Sequence, residues 1–463
     1  MSKKQVVIVG AGPAGLAAAF HLSGKADIKL IDAGLSAMQR TCISPDKCVR
    51  CSKKSGVCSK LEGIGGAGTF SDGKFLFETV FGGREVGSNL MEYLGNREDE
   101  RHWIGKAKDF FLGYGIPRPE LDDERLGKAK EIDRIARTND MGYILSAQSH
   151  VGTDKLPELI ATMEQDLLNN GIEIITGERI ASFDDSKVYS AAKEYPYDHL
   201  ILAPGRKGAN WLEKVLKENK IQIEYRALDI GFRIETDAAV LEHLCDVSRD
   251  VKLSFRLPWN GDWIRTFCVC PNGVVTRETY GNFNLVNGAS DSDKAKQTPN
   301  TNFALLMNLP LKKKANANNY GDHIALLFHD AGVDQPVVQR YGDINAHRRS
   351  REEKINEYRI IPTLDDVFHG DVGIGMPYRI QHGLLYGIEK LSVSGLMEGL
   401  NQPSTLVYAP ELKKNGLKVD ADKYLRVKKG LYVAGDGAGM TRGIVTAAAS
   451  GFLAAEGILQ NLG

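Results

Sequence analysis

The chain opens with Gln5-Val-Val-Ile-Val-Gly-Ala-Gly-Pro-Ala-Gly15, and this stretch decides its fold. The β-branched residues before the glycines predict a buried parallel strand, and the apolar residues from Leu16 to Leu22 predict a helix. A second apolar run, Ile28-Lys-Leu-Ile31, ends in Asp32. Strand, glycine-rich turn, helix, second strand and acid together form the fingerprint of a dinucleotide-binding α/β fold.

Each glycine of such a fingerprint, and its acid, has a physical role. We expect Gly10 to make the tight turn, Gly12 to let the backbone approach a pyrophosphate, and Gly15 to let the helix pack closely on the strand. The N-terminus of the helix presents unpaired N–H groups and a positive dipole end to the phosphates. Asp32 is expected to accept hydrogen bonds from ribose hydroxyls.

The composition is that of an ordinary globular protein. The 463 residues are 42% hydrophobic and 25% charged, and 59 basic residues balance 59 acidic ones. A zero net charge argues against a nucleic-acid partner, and no run approaches the ~18 apolar residues of a membrane span. The apolar part of the N-terminus is too short for a signal peptide, so we expect a cytoplasmic protein.

The C-terminal segment carries a second motif. Leu431-Tyr-Val-Ala-Gly-Asp436 predicts a short buried strand ending in an acid, and Thr441 to Glu456 predicts a helix rich in small residues. With this motif the sequence resembles the FAD-dependent oxidoreductases that have the glutathione-reductase-type flavin fold. The resemblance implies that Asp436 contacts the flavin ribityl chain. It also implies that the helix N-terminus faces the flavin edge that becomes negative on reduction.

Three further segments extend the resemblance. Tyr197-Asp-His-Leu-Ile-Leu-Ala-Pro-Gly-Arg206 is similar to the middle motif of that fold, with Pro204 in place of the usual threonine. Gly63-Ile-Gly-Gly-Ala-Gly-Thr-Phe-Ser-Asp-Gly-Lys74 and Arg265-Thr-Phe-Cys-Val-Cys-Pro-Asn-Gly273 resemble a poorly characterised family of FAD-dependent dehydrogenases. The predicted cofactor-binding residues are Gly10, Gly12, Pro13, Ala14, Gly15, Asp32, Gly65, Gly66, Ser71, Asp72, Lys74, Ala203, Gly205, Gly435, Asp436, Met440 and Thr441.

The spacing of the motifs predicts a discontinuous architecture. We expect an α/β protein with a three-layer, Rossmann-type FAD-binding domain around a parallel sheet, formed by residues 1–84, 141–210 and 401–463. A charged helical insertion is predicted at 85–140, and a mainly antiparallel α+β substrate domain at 211–400. Residues 42–84 have a loop-like composition. A second dinucleotide fingerprint, as in the disulfide reductases with two such domains, is not found.

Two groups of cysteines are candidates for chemistry. Cys42, Cys48, Cys51 and Cys58 lie in one short stretch, where they are candidate ligands of Zn or an iron–sulfur cluster, a redox dithiol, or free thiols. Cys268 and Cys270 alternate along a predicted strand. They are expected to share one face, either as a dithiol toward the flavin or as inert core residues.

These features predict an FAD-dependent oxidoreductase that passes a hydride between flavin N5 and a small organic substrate. The alternatives are a flavin hydroxylase or ene-reductase, an electron carrier in which the four-cysteine loop holds a cluster, and an enzyme using nicotinamide alone. The catalytic acid or base, the electron donor or acceptor and the oligomeric state are not indicated. Candidate substrate-side residues are the loop Asn401–Thr405 and, before it, Tyr378, Arg379 and His382.

Overall fold

The computed structural model describes residues 3–40, 58–83, 85–119, 121–280, 282–312, 315–332, 334–355, 357–413 and 416–461. Its helices are α1 (Pro13–Leu22), α2 (Met91–Leu94), α3 (Arg97–Gly113), α4 (Asp123–Thr138), α5 (Leu156–Asn169), α6 (Ala209–Glu218), α7 (Glu242–Cys245), α8 (Ala317–Gly332), α9 (Tyr341–Asn345), α10 (Glu352–Ile355), α11 (Tyr378–Val393) and α12 (Ile444–Leu459).

Most of the strands belong to two large sheets. The strands are β1 (Gln5–Val9), β2 (Asp27–Ile31), β3 (Lys74–Phe81), β4 (Gly142–His150), β5 (Glu173–Ile175), β6 (Ile180–Phe183), β7 (Lys187–Ser190), β8 (Glu194–Pro196), β9 (His199–Leu202), β10 (Ile223–Tyr225), β11 (Leu228–Asp237), β12 (Lys252–Arg256), β13 (Trp263–Cys270), β14 (Val274–Tyr280), β15 (Phe283–Ala289), β16 (Asn300–Leu309), β17 (Val337–Arg340), β18 (Phe368–His369), β19 (Leu406–Lys413), β20 (Leu417–Val419), β21 (Arg426–Lys428) and β22 (Leu431–Val433).

The first sheet has the order β21-β22-β9-β1-β2-β5, and its strands are parallel except for β21 at the edge. Its central strands are buried on both faces, as expected for a parallel sheet between layers of helices. Because the strands are parallel, the ends of β1, β2, β9 and β22 meet at one edge of the sheet. The three motifs of the sequence are therefore brought together there.

Helices α1 and α12 pack tightly against each other beside this edge. Almost every residue of α12 is buried, which explains why its sequence is small and apolar on all sides. A Cβ added at Gly451 would lie 2.0 Å from the carbonyl oxygen of Ala14, so only glycine permits this approach of the two helices. This contact joins the first turn of α1 to the middle of α12.

The second sheet has nine strands in the order β18-β17-β19-β11-β16-β13-β12-β4-β3, and all its neighbours are antiparallel except β17 and β18. Next to its central strand β16 lies β11, which pairs with β16 along ten residues and with β19 on its other side. The prediction of a mainly antiparallel second unit agrees with this sheet. The sheet nevertheless extends beyond residues 211–400, because β3, β4 and β19 also belong to it. The domain boundaries stay a prediction.

Several local predictions need correction. The loop-like stretch 42–84 contains a strand at Lys74–Phe81, where Phe75 and Phe77 alternate with more exposed residues and the strand pairs with β4. The last helix begins at Ile444 rather than Thr441, because Gly443 has a φ of 144° that interrupts a helical backbone. Helices do form within 85–140, as the charged composition predicted. Within the described residues, no helix has both the length and the apolar character needed to cross a membrane.

Candidate functional site

A cavity of about 420 Å³ lies at the edge where the parallel strands end. Its walls come from the fingerprint, the segment 61–76, residues 203–208, the start of α12 and the second sheet. Most predicted cofactor-binding residues line it: Gly10, Gly12, Pro13, Ala14, Asp32, Gly66, Ser71, Asp72, Lys74, Ala203, Gly205, Gly435 and Asp436. The predicted residues Gly15, Gly65, Met440 and Thr441 do not line it.

The three fingerprint glycines differ in what surrounds them. Gly10 has a φ of 99°, and a Cβ there would lie 2.2 Å from the carbonyl oxygen of Ala203. At Gly15 a Cβ would lie 1.9 Å from the carbonyl oxygen of Gly10, so this glycine permits helix α1 to pack on β1. A Cβ added at Gly12 would come no closer than 3.9 Å to any atom outside its chain neighbours, and that nearest atom is the Gly66 Cα. Gly12 therefore faces the cavity.

Two helix N-termini open on the cavity without a capping side chain. The residues that precede α1 and α12 are Gly12 and Gly443, and neither supplies a side-chain hydrogen bond to the first turn. The unpaired backbone N–H groups and the positive dipole end of a helix favour an anion or an electron-rich oxygen. Gly443, Ile444 and Ala447 line the cavity at the second helix. The arrangement therefore offers two sites for negative charge.

Asp32 organises the turn around it. Its Oδ1 accepts hydrogen bonds from the N–H groups of Gly34 (2.8 Å) and Gly63 (2.9 Å), and its Oδ2 accepts one from Ala11 (2.8 Å). Oδ2 has capacity for one more donor, because each carboxylate oxygen accepts two hydrogen bonds. The expected contact with a ribose hydroxyl stays a prediction. The N–H of Gly65 donates to the carbonyl oxygen of Ala11 at 2.8 Å and ties the next loop to the fingerprint.

Asp436 is held at the cavity by the residues that follow it. Its Oδ1 accepts a hydrogen bond from the hydroxyl of Thr441 at 2.8 Å and from the N–H of Gly443 at 3.4 Å. Burial raises the pKa of Asp436, while Thr441 and Arg206 oppose the shift. Thr441 and Met440 are fully buried and do not reach the cavity. Hydrogen bonds therefore join the acid to the segment that leads into α12.

Asp72 and Lys74 form a buried ion pair at 3.0 Å. Asp72 also contacts His150 Nε2 at 3.1 Å and accepts a hydrogen bond from the Ser290 hydroxyl. Burial alone would raise the pKa of Asp72, but Lys74 and His150 outweigh it and hold that pKa well below its usual range. Because its oxygens already have these partners, Asp72 positions Lys74. Lys74 lines the cavity and donates to the carbonyl oxygen of Val269.

Sequence reasoning missed the wall that the second sheet contributes. The ring of Phe267 lies 4.6 Å from Lys252 Nζ and 5.0 Å from Lys413 Nζ, and all three residues line the cavity. Lys252 pairs with Asp250 and Lys413 with Glu411, each at 2.6 Å. The sequence signal for this wall was the presence of charged residues in strands that are otherwise apolar. A buried charge requires a partner of opposite charge, so such residues indicate a paired, buried site.

Arg206 is the last residue of the middle motif, and it was not predicted as a site residue. It lines the cavity and pairs with buried Glu278 at 3.3 Å. Burial alone would raise the pKa of Glu278, but Arg206 and Lys60 lower it to about 2. The pair joins the segment after β9 to β14.

The predicted substrate-side residues do not line this cavity. Tyr378 and His382 stack on each other at 5.3 Å in α11, and Arg379 pairs with Asp262. The loop Asn401–Thr405 leads into β19 inside the second sheet, so the chain does not re-enter the parallel sheet there. The expected return of the chain to the parallel sheet at this loop was wrong, because β19 pairs with β11 and β17 in the second sheet. A substrate-side role of these residues stays a prediction.

The four-cysteine loop falls largely outside the described residues. Cys42, Cys48 and Cys51 lie in that part of the chain, so their pairing or ligation stays a prediction. Cys58 is described, and it is a buried free thiol. Among the residues that the structure describes, no group of three or more His, Cys, Asp or Glu side chains is arranged to hold a metal ion.

Asp229 ties the second sheet to the segment that leads into α12. This fully buried carboxylate accepts hydrogen bonds from Arg442 Nη1 at 2.6 Å, Arg265 Nη2 at 3.0 Å and Asn308 Nδ2 at 2.8 Å. Burial alone would raise the pKa of Asp229, but Arg265 and Arg442 lower it from 3.8 to about 2. A depressed carboxylate pKa stabilises the folded state above the unfolded value, and this stabilisation is lost as the pH falls through the folded value.

We therefore expect the urea midpoint of the protein to fall as the pH drops from 3.8 to about 2. The Asp229→Asn variant should be about 3 kcal/mol less stable at neutral pH, because it leaves Arg265 and Arg442, both partly buried, without their shared carboxylate. It should also lose less stability than the wild type over the acidic interval. Urea unfolding of both proteins across this pH range checks the prediction, with the exposed-pair variant Glu131→Gln as control. Equal slopes for Asp229→Asn and wild type would contradict it.

The chain was compared with known families, curated proteins and solved structures. Residues 4–229 match the family described as pyridine nucleotide-disulphide oxidoreductase. An uncharacterised protein of Clostridium beijerinckii is 23% identical over 99% of this chain and 81% of its own length. Glycine oxidase from Geobacillus kaustophilus is 11% identical, with a TM-score of 0.40 and coverage of 99% and 95% of the two chains. For 2-methyl-3-hydroxypyridine-5-carboxylic acid oxygenase the identity is 10%, the TM-score 0.38 and the coverage 100% and 83%.

The family match includes the fingerprint, the loop at 61–76 and the middle motif at 197–206, all of which meet at the cavity. The sequence-based resemblance to FAD-dependent oxidoreductases, the α/β fold class and the prediction of an enzyme are thereby confirmed. The chain is an FAD-dependent oxidoreductase whose residues 4–229 match the pyridine nucleotide-disulphide oxidoreductase family.

Proposed function

We propose that this enzyme binds FAD in the cavity and transfers a hydride between flavin N5 and a small organic substrate. When bound, FAD supplies the two-electron chemistry, while the protein positions the reactants and sets the electrostatics. The observation that carries the proposal is the meeting of two uncapped helix N-termini at one cavity. A dinucleotide with a pyrophosphate at one end and an electron-rich ring edge at the other matches two such positions.

The cavity also has the cradle that such a cofactor requires. A Cβ at Gly12 or Gly443 would come no closer than 3.9 Å to any atom outside its chain neighbours, and one at Gly205 would find nothing within 4 Å. The backbone is therefore bare where it faces the cavity. We propose that Gly12 and the start of α1 hold the pyrophosphate and that Asp32 Oδ2 accepts from the ribose. Asp436 and the start of α12 would hold the flavin portion.

The wall from the second sheet is the proposed substrate side. Phe267 supplies an apolar face there, and Lys252 and Lys413 supply buried ammonium groups that are already paired with carboxylates. A wall with an apolar ring and paired charges favours a small polar organic molecule. Donated hydrogen bonds from these lysines would orient it without the cost of burying an unpaired charge.

The first test is the visible spectrum of the protein purified without oxygen, before and after denaturation. We expect flavin bands that pass into the supernatant as FAD. Iron and acid-labile sulfide should be absent, because the proposed chemistry needs only the flavin. A colourless protein that does not take up added FAD would overturn the proposal and favour an enzyme that uses nicotinamide alone. A stoichiometric iron–sulfur content would favour the electron carrier.

The second test concerns the hydride. Small alcohols, amines, hydroxy acids and reduced nicotinamides are mixed anaerobically with the holoenzyme, and loss of the flavin absorbance identifies a donor. Deuterium at the donated C–H position should slow the loss of absorbance, and no flavin radical should accumulate. Incorporation of an oxygen atom from O₂ into the product would instead favour the hydroxylase. A cytoplasmic location and a small-molecule partner stay predictions from the sequence.

A further inference from the structure

A group of buried ionised side chains lies where the second sheet meets the cavity. We call it the charged cluster, and its members are the carboxylates Asp229, Asp250 and Glu411 and the cations Arg233, Lys252, Arg265, Lys413 and Arg442. The carboxylate side chains are at most 4% exposed and the cationic ones at most 24%. Lys252, Lys413 and Arg442 line the cavity.

Every cation of the charged cluster has a carboxylate partner, but two of the three carboxylates are shared. Glu411 Oε1 lies 2.6 Å from Lys413 Nζ and 3.6 Å from Arg233 Nη1. Asp229 accepts hydrogen bonds from the two other arginines of the cluster. Counted over the residues that the structure describes, the cluster therefore has five positive charges and three negative ones.

Other buried carboxylates near the cluster do not cancel this positive excess. Asp72 pairs with Lys74 at 3.0 Å, and Glu278 pairs with Arg206 at 3.3 Å, so each of these two acids has a cation of its own. Asp436 remains, and counting it as charged removes only one of the excess positive charges. Among the described residues, this end of the cavity is therefore positively charged.

The charged cluster costs free energy that packing alone would not require. Transfer of ions from water to a dry interior is unfavourable, and apolar side chains of similar volume often stabilise a core as well as ion pairs do. An excess of buried charge of one sign is more unfavourable still, because it is not neutralised within the cluster. A bound anion would supply the missing negative charge, so the excess indicates an anionic ligand.

Phe267 gives this end of the cavity an apolar surface beside the cations. Its ring centroid lies 4.6 Å from Lys252 Nζ, 5.0 Å from Lys413 Nζ and 4.7 Å from Arg265 Cζ. An ammonium group has three donors, so each lysine can donate to a ligand while it keeps its carboxylate partner. A carboxylate brings a single negative charge, and the carbon skeleton attached to it can pack on the ring. A phosphate would bring more charge and more oxygen atoms that need donors.

We propose that the substrate of this enzyme carries a carboxylate, which binds at the wall formed by Lys252, Phe267 and Lys413. This inference rests on the proposed function, because it names the class of molecule that exchanges the hydride with the flavin. The carboxylate is not altered in the reaction and anchors the molecule in the cavity. Except for Asp229, the charged cluster lies outside residues 4–229, the segment that matches the family. The choice of substrate therefore comes from the second sheet.

The first experiment measures binding without turnover, by isothermal titration calorimetry of the oxidised holoenzyme. The probes are two carboxylates of different size, acetate and benzoate, and the neutral amides of the same shape, acetamide and benzamide. We expect at least one carboxylate to bind roughly 10- to 100-fold more tightly than its amide, which is the range for hydrogen bonds to a charged group. Phenylphosphonate is included as an anion of higher charge, and it should bind more weakly than benzoate.

The second experiment repeats these titrations with Lys413→Met. This variant removes one cation from the wall, while Glu411 keeps Arg233 as a partner and is not left uncompensated. We expect the affinity for the carboxylate to fall about 10-fold or more and the affinity for the amide to stay unchanged. Lys128→Met is the control, because it removes an exposed lysine that does not line the cavity, and it should change neither affinity.

A double variant, Asp250→Asn with Lys252→Met, tests the other lysine of the wall. It removes a whole ion pair and so avoids leaving a buried charge without its partner. The asparagine oxygen can still accept the hydrogen bond that Asp250 Oδ1 accepts from the N–H of Val269. The carboxylate should again lose affinity while the amide does not. Because the two variants change different segments of the chain, the test stays decisive if one of them does not fold.

The outcomes separate this inference from the proposed function. If the protein binds no FAD, the proposed function fails. If it binds FAD but neither carboxylate binds more tightly than its amide, or the folded variants keep the wild-type affinity for the carboxylate, the carboxylate substrate is overturned while the proposed function stands. Tighter binding of phenylphosphonate than of benzoate would overturn it in favour of a phosphate-bearing substrate. Losses of FAD affinity as large as the losses of carboxylate affinity would assign the lysines to the cofactor and overturn it as well.

Discussion

Replacing Asp436 by alanine is expected to weaken FAD binding roughly 10- to 100-fold while the fold is retained. Asp436 is buried at the cavity, where it accepts hydrogen bonds from Thr441 and from the backbone of Gly443. Hydrogen bonds to a charged group contribute about 1.5–3 kcal/mol, which corresponds to this range of affinity. Fluorescence titration of the apoprotein with FAD measures the dissociation constant, and circular dichroism checks the fold.

Two related variants test whether the carboxylate itself contacts the cofactor. Asp436→Asn keeps the size of the side chain and one acceptor oxygen, so it should lose less affinity than Asp436→Ala. Thr441→Val removes the hydroxyl that donates to Asp436 but leaves the carboxylate in place, so its effect should be the smallest. Wild-type FAD affinity in Asp436→Ala would remove this residue from the proposed cofactor site. Equal losses in Asp436→Ala and Thr441→Val would indicate a purely structural role.

Replacing Gly12 by valine is expected to abolish measurable FAD binding without unfolding the protein. The backbone at Gly12 has a φ of −73°, which any residue adopts, and a Cβ there would meet only the Gly66 Cα at 3.9 Å. The branched side chain would therefore occupy the cavity rather than displace protein atoms. Equilibrium dialysis with FAD measures binding, and the melting temperature of the apoprotein measures stability.

Gly15→Ala provides the matched control for this prediction. Its added Cβ would lie 1.9 Å from the carbonyl oxygen of Gly10 and would push α1 away from β1. Overpacking of this kind costs about 1–3 kcal/mol or more, so the apoprotein should melt at a lower temperature. Gly12→Val should therefore lose FAD binding but keep its stability, whereas Gly15→Ala should lose stability. If Gly12→Val bound FAD with the wild-type affinity, the pyrophosphate would not lie at this turn.

Much of the first sheet could be predicted from the sequence because its signals are local. The strand, turn and helix from Gln5 to Leu22 depend on backbone sterics and on packing between residues close along the chain. Asp32 was identified from its distance to the glycines, and it does reach back to the N–H of Ala11. The end of β22 was found in the same way, since its acid follows a short apolar run. The start of α12 was predicted three residues too early for the same reason. A run of small residues is typical of a helix, but it does not indicate that Gly443 has a φ of 144°.

The second wall of the cavity was decided only by the tertiary structure. Asp229 and Arg442 are 213 residues apart in sequence, and Lys74 and Val269 are 195 apart, yet each pair is in contact. No local sequence pattern links such residues, because strands from distant segments form the antiparallel sheet. The register of these strands decides which side chains come into contact. For Cys268 and Cys270 the sequence predicted regular alternation along a strand. Only the structure shows the register shift between Phe267 and Cys270, with Cys268 lining the cavity and Cys270 buried. The sequence by itself determined which residue types could bind a dinucleotide. The bulge, the burial and the paired charges of the second sheet decided which thiol, lysine and arginine face that cavity, since a buried charge is tolerated only where the fold supplies its partner.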